Sequence, residues 1–185
     1  MPLSSHMALY EYWNRVRGKC STPTRSDVDP LDIPRLLPFV GLIERRPDGY
    51  FWRLVGTEIE KHFGRNMRGE RYGAHFSPSS FIDETIVSFE AAFEQEIPIF
   101  DEFVYRSDRG WPHAVCRLLC PLAADRTHPP IIIHTRLSRY ERVHAYQLAD
   151  NARGEMIGRH SIHSKEDIDR RTKEWVARAS LPAAD

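Results

Sequence analysis

Apolar positions along the chain change their spacing several times, and each change marks an element. Leu9, Tyr12, Trp13 and Val16 fall at i, i+3, i+4 and i+7, the single stripe of a helix that runs to about Arg17, with Gly18 just beyond its end. From Lys19 to Pro38 the prolines Pro23, Pro30, Pro34 and Pro38 interrupt any longer period, so this stretch reads as an extended connector with a short turn of helix at Leu31 to Leu37. Phe39 to Arg45 reads as a strand. Pro47-Asp48-Gly49 is turn chemistry that favours a tight hairpin into a second strand, Tyr50 to Val55, whose aromatic and β-branched residues suit a half-buried pleated surface.

Gly56 ends that strand, and Thr57 with Glu60 has capping-box spacing for a short helix that Gly64 stops in the left-handed conformation. From Thr57 to about Ser77, Gly64, Gly69 and Gly73 are spaced among polar residues, which predicts small helical turns and a pocket-forming segment. Ser77 and Pro78 open a longer helix with Ile82, Ile86, Phe89 and Phe93 on one stripe, and Pro98 cannot continue it. Three strands follow: Ile97 to Tyr105, Pro112 to Leu122 and Pro130 to Arg139. In the middle one, Ala114, Cys116, Leu118, Cys120 and Leu122 alternate with Val115, Arg117 and Leu119, and the even face is expected to point inward. In the last, Ile131, Ile133, Thr135 and Leu137 share one face and Ile132, His134 and Arg136 the other, one packed and one wetter. Beyond Tyr140 the chain reads as a polar tail broken at Gly154 and Gly158. Ser164 and Asp167 then cap a C-terminal helix striped by Ile168, Thr172, Trp175, Val176 and Ala179. The expected division is an N-terminal helix and connector over 1–37, a core over 38–140, and a tail with its helix over 141–185.

Composition narrows the function classes. With 185 residues, 41% hydrophobic and 28% charged, the chain can bury a sizeable single core. Lys+Arg and Asp+Glu both number 26, so no overall basic field draws it to nucleic acid or an anionic membrane. No apolar run approaches the roughly 20 residues of a membrane span. The cysteines Cys20, Cys116 and Cys120 form no even framework and no C-x-x-C pair, which suits the reducing cytoplasm. Cys116 and Cys120 on one strand are about 13 Å apart, beyond disulfide reach. Ser5-His6-Met7 matches a cloning remnant, so residues before Ala8 carry little weight in this reading.

The order of elements is a helix, a hairpin, short helices, a longer helix and a three-strand meander. It predicts an α+β fold: a five-stranded antiparallel sheet with helices packed on one face, plus N-terminal and C-terminal helical extensions. Leu9-Tyr10-Glu11-Tyr12-Trp13, Ser26-Asp27-Val28-Asp29-Pro30, Leu36-Leu37-Pro38, Arg53-Leu54-Val55-Gly56-Thr57 and Phe63-Gly64-Arg65-Asn66-Met67-Arg68-Gly69 occur in that order. From about Leu9 to Tyr140 the chain resembles a bacterial single-domain PAS family with a YW helix, a D-x-D-P connector, an RLVGT strand end and an FGR-x-x-x-G loop. The resemblance implies a cytoplasmic sensor or scaffold. Such domains hold a small molecule or cofactor between sheet and helices, or pair with partners through the sheet and the N-terminal helix, often with no effector domain attached.

On that resemblance the candidate pocket lining is Trp52, Arg53, Leu54, Phe63, Met67, Tyr72, Phe76, Phe89, Phe93, Phe103, Cys116 and Leu118, most of which also suit a plain core. The rival reading is a ligand-free interaction module in which Leu9, Tyr12, Trp13 and Val16 present a self-association or partner surface. Some PAS sensors bind haem through a histidine on the helical side, where His62 and His75 lie, although a hydrogen-bonded histidine beside Phe63 is the commoner case. No residue pattern names the cofactor. Arg53 within an aromatic strand either pairs with a sheet neighbour or orients an acidic ligand, and Arg68 and Arg71 either line a pocket mouth or face solvent. His160 and His163 are spaced for one helix face, but a zinc site needs further ligands, so no metal site is expected. Asp101 and Glu102 point to opposite faces, and no nucleophile, base and orienting group combine, so the expectation is a binding module and not an enzyme.

Overall fold

The computed structural model describes residues 4–74, 80–106, 112–139 and 154–179. Helix α1 spans Ser4–Arg17, and a connector with single 3-10 turns at Arg25–Asp27, Pro30–Asp32 and Leu37–Phe39 leads to the hairpin β1 (Val40–Arg46) and β2 (Gly49–Val55). Then come α2 (Thr57–Phe63), α3 (Ser80–Gln95), β3 (Ile99–Arg106), β4 (Pro112–Leu122), β5 (Ile131–Arg139), β6 (Gly154–Ser161) and α4 (Lys165–Ala179). The fold is α+β, and its antiparallel sheet has the order β2-β1-β5-β4-β3-β6. The predicted cap for α3, Ser77 with Pro78, lies outside the described residues.

Three details differ from the sequence reading. The sheet has six strands, because Gly154–Ser161, assigned to the polar tail, pairs antiparallel with β3 as an edge strand. The glycines that looked like breaks serve the strand. A Cβ on Gly154 would lie 2.6 Å from the Phe81 ring, so the missing side chain lets that ring rest on the backbone, and Gly158 adjoins the bulge opposite Glu102/Phe103. Second, helices cover both faces. α2 and α3 pack on the face that carries Ile43, Trp52, Leu119 and Ile132, while α1 and α4 pack on the other, against Phe100, Cys116, Leu118 and Ile133. Third, α2 is N-capped by Gly56 and not by Thr57, which is already its first residue, so the capping box does not form there.

The apolar stripe of α1 is used inside the domain. Leu9, Tyr12 and Trp13 are buried in the core shared with β4 and β5, Val16 packs at its margin, and the Trp13 indole donates to the Pro121 carbonyl at 2.7 Å. The exposed aromatic helix expected as a dimer surface is therefore a lid over the domain's own sheet. The segment before Ala8 belongs to this lid as well. His6 is fully buried, 2.7 Å from Thr135 Oγ1 and 3.4 Å from Cys116 Sγ. The C-terminal helix forms as its sequence predicts: Ser164 and Asp167 exchange capping hydrogen bonds, and Ile168, Thr172 and Trp175 are buried.

Candidate functional site

Strand alternation decides what faces the α2–α3 side of the sheet. In β3 these are Asp101, Phe103 and Tyr105, in β4 His113 and Arg117, and in β5 His134 and Arg136, all of them buried. Three strands thus bring charged and imidazole groups to a face that also carries Trp52 from β2. The junction above them is tight. The Gly56 amide bonds the Val40 carbonyl at 2.8 Å, and a Cβ on Gly56 would lie 2.4 Å from the Pro38 carbonyl oxygen, so only glycine lets β2 turn into α2 against the connector.

Between this face and the α2, Met67–Gly73 and α3 segments the described residues enclose a cavity of ≈ 150 Å³. Its walls are apolar at Trp52, Phe63, Met67, Phe81, Ile82 and Phe103, and polar at His62, Tyr72, Tyr105, His113, Arg117 and Arg136. Arg65, Arg71 and Arg106 also line it, and no Asp or Glu does.

The polar groups form two sets. Arg117, almost fully buried, makes a bidentate pair with Asp101 (Nε to Oδ1 at 2.9 Å, Nη2 to Oδ2 at 2.5 Å), and its Nη1 donates to the Tyr72 hydroxyl at 2.7 Å. Burial opposes this charge, but Asp101 and Tyr72 outweigh it and raise the guanidinium pKa. Arg136 has no such partner among the described residues. Its Nη2 donates to the Tyr105 hydroxyl and to His62 Nε2, each at 3.0 Å, and its guanidinium lies 4.6 Å over the Phe63 ring. Tyr105 and His62 Nε2 are 2.6 Å apart, so two donors converge on that nitrogen and hold the ring neutral with its proton on Nδ1. Burial, with Arg136 and His113 nearby, lowers the His62 pKa to about 3. His113 stacks on Tyr105 at 4.8 Å, and burial and Arg136 lower it to about 4. His134 lies under Gly41, whose Cβ would sit 2.2 Å from its Nε2, and burial first, then Arg117, keeps it well below its usual range.

The sequence profile of the PAS domain matches residues 1–134. The chain belongs to the PAS domain family. Solved structures similar to this PAS domain include a fungal LOV domain photoreceptor, 15% identical over 62% of this chain and 94% of that one with a TM-score of 0.43. Another is an RsLOV variant, 11% identical over 79% of this chain and 77% of that one with a TM-score of 0.42. No curated protein matches the chain in sequence.

In this PAS domain Trp52, Phe63, Met67, Tyr72 and Phe103, expected to line a pocket, do line the cavity. Phe89 is fully buried just behind it, with its ring 5.0 Å from Tyr72, and Phe93 packs at the β1 end beneath Arg45. Cys116 and Leu118 are on the opposite face, in the core under α1. Arg53 and Leu54 are on the outer surface, where Arg53 pairs with Glu44 at 2.7 Å. Phe76 and His75 lie outside the described residues. Of the two loop arginines, Arg71 lines the cavity and Arg68 is exposed. His62, the haem candidate, has its Nε2 bonded to Arg136 and Tyr105, and the ≈ 150 Å³ beside it is well below the roughly 300–1,000 Å³ of pockets for larger ligands. Among the described residues no group of three or more His, Cys, Asp or Glu is placed to hold a metal ion, and no helix is long and apolar enough to cross a membrane.

The polar residues of the site missed by sequence reasoning include Tyr105, His113, Arg117, His134 and Arg136. The signal was present: His113 and Arg117 share one face of β4, and His134 and Arg136 share one face of β5. Taking the even residues of β4 as the inward set placed the pocket one residue out of phase, because both faces of this sheet are covered.

Proposed function

We propose that this PAS domain is a sensory or regulatory module of bacterial signalling, cytoplasmic in setting, that holds a small molecule in the cavity between the sheet and α2 and α3. The observation that carries this reading is the character of the cavity. A ≈ 150 Å³ space walled by Trp52, Phe63 and Phe103 is furnished with converging polar groups, Arg136, His62 and Tyr105, and close packing disfavours such a space in a core built for stability alone.

Occupancy has a route outward. Arg117 in the cavity wall is held by Asp101, and the next residue of β3, Glu102, binds Arg178 of α4 on the far face. A ligand that biases one packing of Arg117 shifts the balance between two placements of β3 and hence of α4, the surface that a protein partner would read. The test is thermal unfolding of the full chain against a panel of compact molecules, with wild type and Ile82→Trp side by side. The expected result is a subset that raises the wild-type Tm and leaves the variant, whose indole occupies the cavity, unmoved. No shift in wild type, or equal shifts in both proteins, contradicts the proposal.

A further inference from the structure

We infer that the cavity selects a compact carboxylate of about one ring in size, with Arg136 as its anion anchor. This rests on the cavity being a ligand site and goes on to name what it takes.

Charge compensation carries the inference. Three strand arginines line the cavity, Arg106 of β3, Arg117 of β4 and Arg136 of β5, and among the described residues only Arg117 has a carboxylate counter-ion. Arg117 is neutralised by the bidentate Asp101 carboxylate and capped by Tyr72. Arg136 is as little as 6% exposed, yet its hydrogen bonds go to a neutral phenol and a neutral imidazole, and no carboxylate among the described residues pairs with it. Its buried Nε has no hydrogen-bond partner, and its Nη1 makes none. A buried guanidinium without a counter-ion is unfavourable unless an anion arrives, and the planar fork of arginine matches a carboxylate. Arg71 and Arg106, also in the lining, likewise have no carboxylate partner among the described residues, and none of the described lining residues is an acid that would repel an anion.

Volume and wall chemistry set the rest of the ligand. A cavity of ≈ 150 Å³ with apolar walls is the size that accommodates a benzene-sized body, as in the engineered cavity with walls of Leu, Ile and Phe that takes up benzene. Phe63 is already stacked under the Arg136 guanidinium at 4.6 Å, so an apolar body placed beside Phe63 sets its carboxylate against that charge.

Calorimetric titration of the full chain with benzoate, benzamide and inorganic phosphate tests this, with Arg136→Gln and Arg136→Lys as variants. The expected result is that benzoate binds wild type at least about tenfold more tightly than its neutral isostere benzamide, as a desolvated charge-assisted contact provides. Phosphate is expected to compete poorly. Arg136→Gln should erase the preference for benzoate over benzamide, and Arg136→Lys should keep part of it. Equal or tighter binding of benzamide overturns the anion anchor while leaving a ligand cavity in place. Phosphate binding as tightly as benzoate overturns the ring-sized body. A preference that survives in folded Arg136→Gln overturns the role of that residue. If neither ring compound binds wild type, the inference fails, while the cavity reading stands or falls on the panel of compact molecules.

Discussion

Asp101 and Glu102 are consecutive residues of β3, and each binds an arginine on a different face of the sheet. Asp101 holds Arg117 inside the cavity wall, and Glu102 holds Arg178 of α4. The two pairs differ in what surrounds the cation: the Arg117 side chain is 3% exposed and that of Arg178 is 41% exposed. Asp101→Asn strands a buried charge and is expected to cost about 3–5 kcal/mol in urea unfolding. Burial raises the Glu102 pKa against the pull of Arg178, so this carboxylate is held at some cost. Glu102→Gln lets Arg178 turn to water and is expected to leave global stability within about 1 kcal/mol of wild type. Amide exchange in α4 should nevertheless speed up. An equal loss of stability in both variants contradicts this distinction.

His6 makes stability depend on pH. It is buried neutral against Thr135 and Cys116, and burial lowers its pKa from 6.5 to about 3. Above pH 6.5 neither the folded nor the unfolded ring carries a proton, and this group is silent. As pH falls below 6.5 the unfolded chain takes up a proton that the folded one refuses, so stability is lost down to about pH 3. The slope approaches roughly 1.4 kcal/mol per pH unit for one such group. Urea unfolding between pH 7.5 and 4.5 should show His6→Gln with a shallower slope than wild type by about that amount per unit. Parallel slopes would mean that His6 is accessible to protons in the folded state.

The junction of β2 and α2 admits no side chain. At Gly56 an added Cβ meets the carbonyl oxygens of Pro38 at 2.4 Å and Leu37 at 2.6 Å, backbone atoms that cannot swing aside. Gly56→Ala is expected to destabilise by about 1–3 kcal/mol through overpacking. At Gly64, φ is +69° with nothing within 4 Å, so alanine there costs only the left-handed strain of about 1–2 kcal/mol. Gly56→Ala should also displace α2 and with it His62, visible as a change in the His62 ring resonances that Gly64→Ala does not produce.

Much of the fold was legible because local chemistry and global structure agree. Asp48-Gly49 set the hairpin register, Gly64 closed α2, and Ser164 with Asp167 capped α4. Strand β6 was not legible, since Gly154 and Gly158 are ordinary breakers until the Phe81 ring and the β3 bulge give them a purpose. Part of the site was legible from apolar and aromatic residues around the FGR-x-x-x-G loop, namely Phe63, Met67 and Tyr72. The arginine and histidine side of the site was hidden by parity. A charged residue on a strand normally marks the solvent face, and only the presence of helices on both faces turns Arg117 and Arg136 inward.

We propose that the interior of this PAS domain is a place for a small molecule. Native mass spectrometry of the freshly purified full chain, with an absorption spectrum of the same sample, tests it most directly. The expected result is a fraction carrying the extra mass of a compact organic acid, released on denaturation, regained on adding benzoate and without a haem or flavin band. A bare chain that takes up no compact molecule, or a chain that carries a macrocyclic or flavin chromophore, contradicts the account.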